Sequence, residues 1–120
     1  MKESISLKMC RNYLNKDVNL IIDRPLNSCH PKHGFKYETN YGFIEGVMAP
    51  DGEELDAYYL GVDKALQTAK GKCIAIIHRL KDDDDKLVVV SGNKGNMTDE
   101  EILKAVNFQE QWFESEIIRS

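Results

Sequence analysis

The segment Asp51-Gly52-Glu53-Glu54-Leu55-Asp56 places Asp51, Glu53 and Asp56 in a turn and at the start of the apolar run that follows. Side chains delivered there can converge, and convergent carboxylates suit a hard divalent cation, which takes several oxygen ligands at short distance. A second acidic group, Asp82-Asp83-Asp84-Asp85, precedes Lys86. Two unit charges about 4 Å apart repel by roughly 4 kcal/mol at an effective dielectric of 20. If the fold brings both groups together, a cation is the natural compensation. A like-charge run is also commonly no more than a solvated turn. Arg24, Lys32 and Lys86 lie at strand ends or in loops, where single surface cations are ordinary. Beside acidic metal ligands they would complete a phosphate site, with Tyr37 and Tyr41 as phenolic donors. The Asp51 segment lacks the spacing of a calcium-binding loop, and His30 and His33 lack further ligands at zinc spacing.

The elements that must carry these groups read as mainly β. Asp17–Asp23 alternates Val18, Leu20 and Ile22 onto one face, and Arg24-Pro25 ends that strand. The loop 26–34 holds His30, Lys32 and His33, with Arg24 at its entrance. Short strands follow at 35–37, 42–48 and 55–60, with Pro50-Asp51-Gly52 marking a turn. The runs 72–79 and 86–91 form a hairpin whose tip is the acidic run. Thr98-Asp99-Glu100-Glu101 is a capping box. The helix it opens extends to about residue 117, with Ile102, Val106, Phe113 and Ile117 on its inner face and Trp112 beside it. Residues 1–16 are a lead-in, weakly helical over 3–15 with Ile5, Met9 and Tyr13 on one face. Residues 17–120 form one domain, a small closed or partly closed barrel capped by the late helix.

Bulk properties agree with a small globular domain. The chain has 120 residues, 42% hydrophobic and 30% charged, with a net charge of -4. The acidic balance argues against a broad nucleic-acid surface and leaves room for a local anion pocket. Cys10, Cys29 and Cys73 are odd in number and irregular in spacing, which suits free thiols in the cytoplasm. No long apolar run suggests a signal peptide or a membrane span.

Asn40-Tyr41-Gly42-Phe43 followed by Asp51-Gly52-Glu53-Glu54-Leu55-Asp56 closely resembles the signature of the family I inorganic pyrophosphatases. Ile22-Asp23-Arg24-Pro25 and Tyr37 fit upstream, and the acidic loop before Lys86-Leu87-Val88 fits downstream. The resemblance covers residues 17–91, more loosely the helix beyond, and is to a short-form member. It implies an OB-like five-stranded barrel with a C-terminal helix packed on it. It also implies Mg²⁺-dependent hydrolysis of pyrophosphate, Mn²⁺ being an alternative, and assembly into homo-oligomers, while the composition leads us to expect a cytoplasmic protein with no nucleic-acid or membrane partner. Position by position, Asp51, Asp56, Asp84 and Asp82 would be metal ligands and Glu53 the general base. Arg24, Tyr41 and Lys86 would bind phosphate, with Tyr37 nearby.

The chain departs from the pattern in three places, one being that the family's upstream strands, with a further Lys and acidic residues, have no clear counterpart before Asp17. The family has Asp where Glu53 stands, and its late-helix Tyr-Lys pair corresponds here to Trp112-Phe113. Lys32 or His33 is expected to replace the lost phosphate contact. Two other readings stay open: a hydrolase of another small phosphorylated substrate, and a catalytically weak phosphate- or metal-binding homologue.

Overall fold

The computed structural model of the chain describes residues 5–48, 52, 54–81, 84–91 and 97–119. Asp51, Glu53 and Asp82 lie outside the described residues. In chain order the elements are α1 (Ile5–Arg11), β1 (Asp17–Arg24), β2 (Asn40–Met48), β3 (Glu54–Leu60), β4 (Thr68–Arg79), β5 (Lys86–Val90), α2 (Asp99–Glu110) and β6 (Ser115–Ile118).

The sheet closes on itself. Its order is β1-β2-β3-β5-β4-β6, and β1 pairs with β4 as well. All neighbours are antiparallel except β3 and β5, which run parallel. Five strands thus make a closed mixed barrel, and β6 extends it at one side. Closure depends on the length of β4. Thr68–Lys72 pairs with Ile21–Asp17 of β1, while Ile76–Arg79 pairs with Ile118–Ser115 of β6. Close approach of strands explains two glycines. A Cβ on Gly42 would meet the Ile21 carbonyl oxygen at 1.9 Å, and one on Gly71 would meet that of Val90 at 2.1 Å.

The hydrophobic interior has two parts. Val18, Leu20, Ile22, Leu55, Ile76 and Leu87 fill one side of the sheet together with Leu7 and Cys10 of α1. Tyr58, Ile77, Val88 and Val90 face α2, which buries Ile102, Val106 and Phe108 against them. The alternation expected of β1 holds, and every residue of β5 is buried, as a strand covered on both faces requires.

The capping box also holds. Thr98 Oγ1 accepts from the Glu101 amide at 3.1 Å, and Glu101 Oε1 accepts from the Thr98 amide at 2.9 Å. The helix stops at Glu110 and does not reach residue 117. Phe113 and Ile117 have a helical spacing, but the overrunning edge of β4 needs a partner, and the β-branched pair Ile117-Ile118 supplies it as strand β6. Residues 35–37 are not a strand: Lys36 makes only an isolated bridge to Cys29, inside a loop that folds on itself. The buried side of α1 is Ser6, Leu7 and Cys10, whereas Ile5 is 66% exposed, so Ile5, Met9 and Tyr13 are not its inner face.

Asn40 explains the first residue of the Asn-Tyr-Gly element. It is fully buried, and its Oδ1 accepts from the amides of Leu26 and Leu66, both at 3.0 Å. Its Nδ2 donates to the Lys64 carbonyl at 2.9 Å. One side chain thus ties the loop after β1 and the β3–β4 connection to the start of β2.

Candidate active site

At one end of the barrel, β2, β3 and the β4–β5 hairpin bring four of the expected residues together. Lys86 opens β5, and its Nζ donates to Asp56 Oδ2 at 2.9 Å and to Asp84 Oδ1 at 2.8 Å. The Tyr41 hydroxyl donates to Asp56 Oδ2 at 2.9 Å. Lys86 is only 4% exposed, while Asp56 and Asp84 reach the solvent at 32% and 50%. Burial, and then the negative charge of Asp56 that its hydroxyl faces, pushes the Tyr41 pKa well up, so the phenol stays a donor.

A second set of residues, not singled out by their sequence pattern, supports the first. Arg79 ends β4 and Glu110 ends α2. Arg79 Nε and Nη2 donate to Glu110 Oε1 and Oε2 at 3.0 and 2.8 Å, a bidentate fork in which both side chains are buried. Arg79 Nη1 donates to Asp84 Oδ2 at 3.2 Å. Burial alone would lower the Arg79 pKa, but the Glu110 fork outweighs it and holds the guanidinium charged. The Phe113 ring covers this guanidinium, 3.7 Å from Cζ to the ring centroid. Tyr58 donates to Glu110, Gln109 Nε2 donates to the Tyr58 hydroxyl at 2.7 Å, and Tyr37 donates to Gln109 Oε1 at 2.9 Å. One hydrogen-bonded network therefore runs from Tyr37 through α2 to Asp84, Lys86, Asp56 and Tyr41. Two signals in the sequence point to it. A charge at the end of the Ile-rich run of β4 needs a partner. An acid in the last turn of a helix opposes the helix dipole and needs a cation.

Part of the network, Tyr41, Lys86, Asp84 and Arg79, lines a cleft of about 790 Å³ together with His30, His33, Phe35 and Trp112. Arg24 is half-buried and donates to the Asp23 carbonyl at 3.4 Å. It also lies close enough to Tyr37 to oppose the rise in that phenol's pKa that burial causes. Tyr37 is buried and turned to Gln109, behind the cleft wall. The Lys32 side chain is exposed, and the wall of its loop is made by His30 and His33. Among the described residues, no group of three or more His, Cys, Asp or Glu side chains is assembled to hold a metal ion. Asp56 and Asp84, which share Lys86, supply an all-oxygen donor pair, a chemistry that fits a hard divalent cation. No helix among the described residues is long and apolar enough to cross a membrane.

Known proteins resemble this chain in sequence and in fold. The inorganic pyrophosphatase of Rickettsia prowazekii (strain Madrid E) is 27% identical over a stretch covering 70% of this chain and 61% of that protein. That of Rickettsia typhi (strain ATCC VR-144 / Wilmington) is likewise 27% identical, with 59% of its length covered. The chain thus spans about three-fifths of the length of these curated relatives. Among solved structures, the inorganic pyrophosphatase from Ehrlichia chaffeensis superposes with a TM-score of 0.67 at 18% identity, covering 88% of this chain and 87% of that one. The enzyme from Neisseria gonorrhoeae gives 0.60 at 22% identity, covering 77% and 70%. At such identities the structural likeness speaks for the OB-like barrel fold alone. The family model for inorganic pyrophosphatase matches residues 12–116, nearly the whole chain, and the chain therefore belongs to the family I inorganic pyrophosphatases.

Proposed function

We propose that this chain hydrolyses inorganic pyrophosphate to two phosphates with Mg²⁺, or Mn²⁺, as the metal. The observation that carries the reading is the clamp of Lys86 between Asp56 and Asp84 with Tyr41 on the same carboxylate. Asp56 and Asp84, with Asp51 and Asp82, would hold the metal. When bound, such a cation lowers the pKa of its water and neutralises phosphate charge. Water attacks one phosphorus, the bridging P–O bond breaks, and the second phosphate leaves with the electron pair. Glu53 accepts the proton that the water gives up.

Lys86 has one ammonium hydrogen beyond those donated to Asp56 and Asp84, and it is available to a phosphate oxygen. Arg24 and Lys32 are the further phosphate contacts in this reading; the Tyr41 hydroxyl becomes a phosphate donor by leaving Asp56, while that of Tyr37 stays with Gln109. Arg79 and Glu110 fix the direction of Asp84. A cytoplasmic location and assembly into homo-oligomers belong to the same proposal, by family analogy.

The test is phosphate release from pyrophosphate with Mg²⁺, comparing wild type with Glu53→Gln and Asp56→Asn. Both substitutions should abolish release with the fold intact, a loss of at least about a hundredfold. No release by wild type across a range of Mg²⁺ and Mn²⁺ would overturn the proposal and leave a hydrolase of another small phosphorylated substrate, or a phosphate- or metal-binding homologue.

A further inference from the structure

The loop between β1 and β2 is built rather than loose. The Asn27 amide donates to the Tyr37 carbonyl, and that of Tyr37 to Ser28, both at 2.8 Å. The His30 amide donates to the Phe35 carbonyl at 2.8 Å, and that of Gly34 to His30 at 3.0 Å. Phe35 seats the loop on α2, its ring centroid 6.2 Å from Phe108 and 5.4 Å from Trp112. His30 packs on this ring at 4.9 Å and on His33 at 4.8 Å. The ring thereby lines the same cleft as Lys86 and Tyr41.

The protonation of that ring follows from its partners. The amides of Lys32 and His33 both donate to His30 Nδ1, each at 3.1 Å. An amide N–H can only donate, so Nδ1 carries the lone pair and the hydrogen of the neutral ring sits on Nε2. Burial, followed by the charges of His33, Arg24 and Lys32, lowers the His30 pKa and favours this neutral form. With Nδ1 turned to its own loop, Nε2–H is the donor left for the cleft, and it has no partner among the described residues. The neighbouring cations are heavily engaged: Arg79 by Glu110 and Asp84, Lys86 by Asp56 and Asp84. A polyanion entering here needs donors that are not already spent on carboxylates.

We infer that His30 is a substrate-binding residue, a tautomer-locked donor whose Nε2–H binds a phosphate oxygen of the diphosphate. This rests on the pyrophosphatase reading and adds to it a residue for which the backbone of its own loop sets the chemistry.

Two substitutions separate the two ring nitrogens. Asn places an acceptor near the position of Nδ1 and lacks Nε2. Gln reaches toward the position of Nε2 and leaves the two amides uncapped. His30→Asn should keep the wild-type melting temperature and bind imidodiphosphate with Mg²⁺ about tenfold more weakly, read by calorimetry, because one donor to an anion is gone. His30→Gln should melt lower yet bind more tightly than His30→Asn. Long-range ¹H–¹⁵N spectra of ¹⁵N-histidine protein should show the Nε2–H tautomer at pH 7, and its Nε2 signal should move when imidodiphosphate is added. Wild type that releases phosphate while His30→Asn binds equally tightly, or a ring found as the Nδ1–H tautomer, overturns this inference and leaves the pyrophosphatase reading standing. Wild type that neither binds imidodiphosphate nor releases phosphate overturns both.

Discussion

Replacing Glu110 by Gln removes one charge from the most enclosed ion pair of the site. Arg79 and Glu110 have side chains only 7% and 4% exposed, so the guanidinium cannot turn to water when its partner is neutralised. Its remaining partner, Asp84, is half in solvent and holds it through one bond of 3.2 Å. Removing one member of a buried pair costs about 3 to 5 kcal/mol. The lower end is the better figure here, since Asp84 remains and Gln still offers an acceptor to Tyr58. Unfolding entropy of about 2.1 cal/mol/K per residue gives about 0.25 kcal/mol/K for a chain this long, so about 3 kcal/mol corresponds to a fall of about 12 °C in Tm. Calorimetry of wild type, Glu110→Gln, Arg79→Met and the double variant measures it. The double variant should be more stable than the sum of the singles requires, because it buries no lone charge. A Glu110→Gln protein melting within about 3 °C of wild type, with strictly additive effects, would refute the reading of this fork as a closed buried pair.

Three more predictions concern the core and the barrel. Burial, followed by the charge of Asp85, pushes the Cys10 thiol up to about 12, and burial pushes Cys73 up to about 11. Iodoacetamide at pH 8 should therefore label native protein at the exposed Cys29 alone, as mass spectrometry would show, and equal labelling of Cys10 or Cys73 would contradict the packing. Both thiols ionise first in the unfolded chain, near 9.0, so their contribution to stability is complete below that pH and is lost as pH rises toward 11 and 12. Gly42→Ala should cost at least about 3 kcal/mol in urea unfolding, since the obstructing Ile21 carbonyl belongs to the β1–β2 ladder and cannot yield. An unchanged midpoint would show that the two strands can separate without loss.

What could be read from the sequence was whatever local chemistry decides. The β1 alternation, the capping box at Thr98 and the antiparallel β4–β5 pairing each depend on a few adjacent residues, and each is present. The order of strands and the parallel β3–β5 pair depend on distant contacts that no local pattern encodes. Strand β6 was masked for the same reason: a spacing of four suits a helix, and only the exposed end of β4 makes residues 115–118 extended. The site divides in the same way. Tyr41, Asp56, Asp84 and Lys86 stand in a recognisable pattern and do meet. Arg79, Glu110 and His30 stand in none. The first two acquire meaning when the end of α2 is laid against the end of β4, and His30 when its loop closes on its own ring.

The double use of β4 bears on how the molecule comes into being during synthesis. The strands of the closed ring are all present once residue 90 has left the ribosome, yet the Ile76–Arg79 margin then has no β6 beside it. Until residues 115–118 emerge, that margin offers unpaired backbone groups flanked by isoleucines, the kind of template on which another nascent chain can add a strand. Arg79 also waits for Glu110 through this interval. The pause is short at ordinary rates of about 5 to 20 residues per second. It is nevertheless the moment at which a trigger-type chaperone, or a slow codon run, would have most influence on whether the chain matures or aggregates.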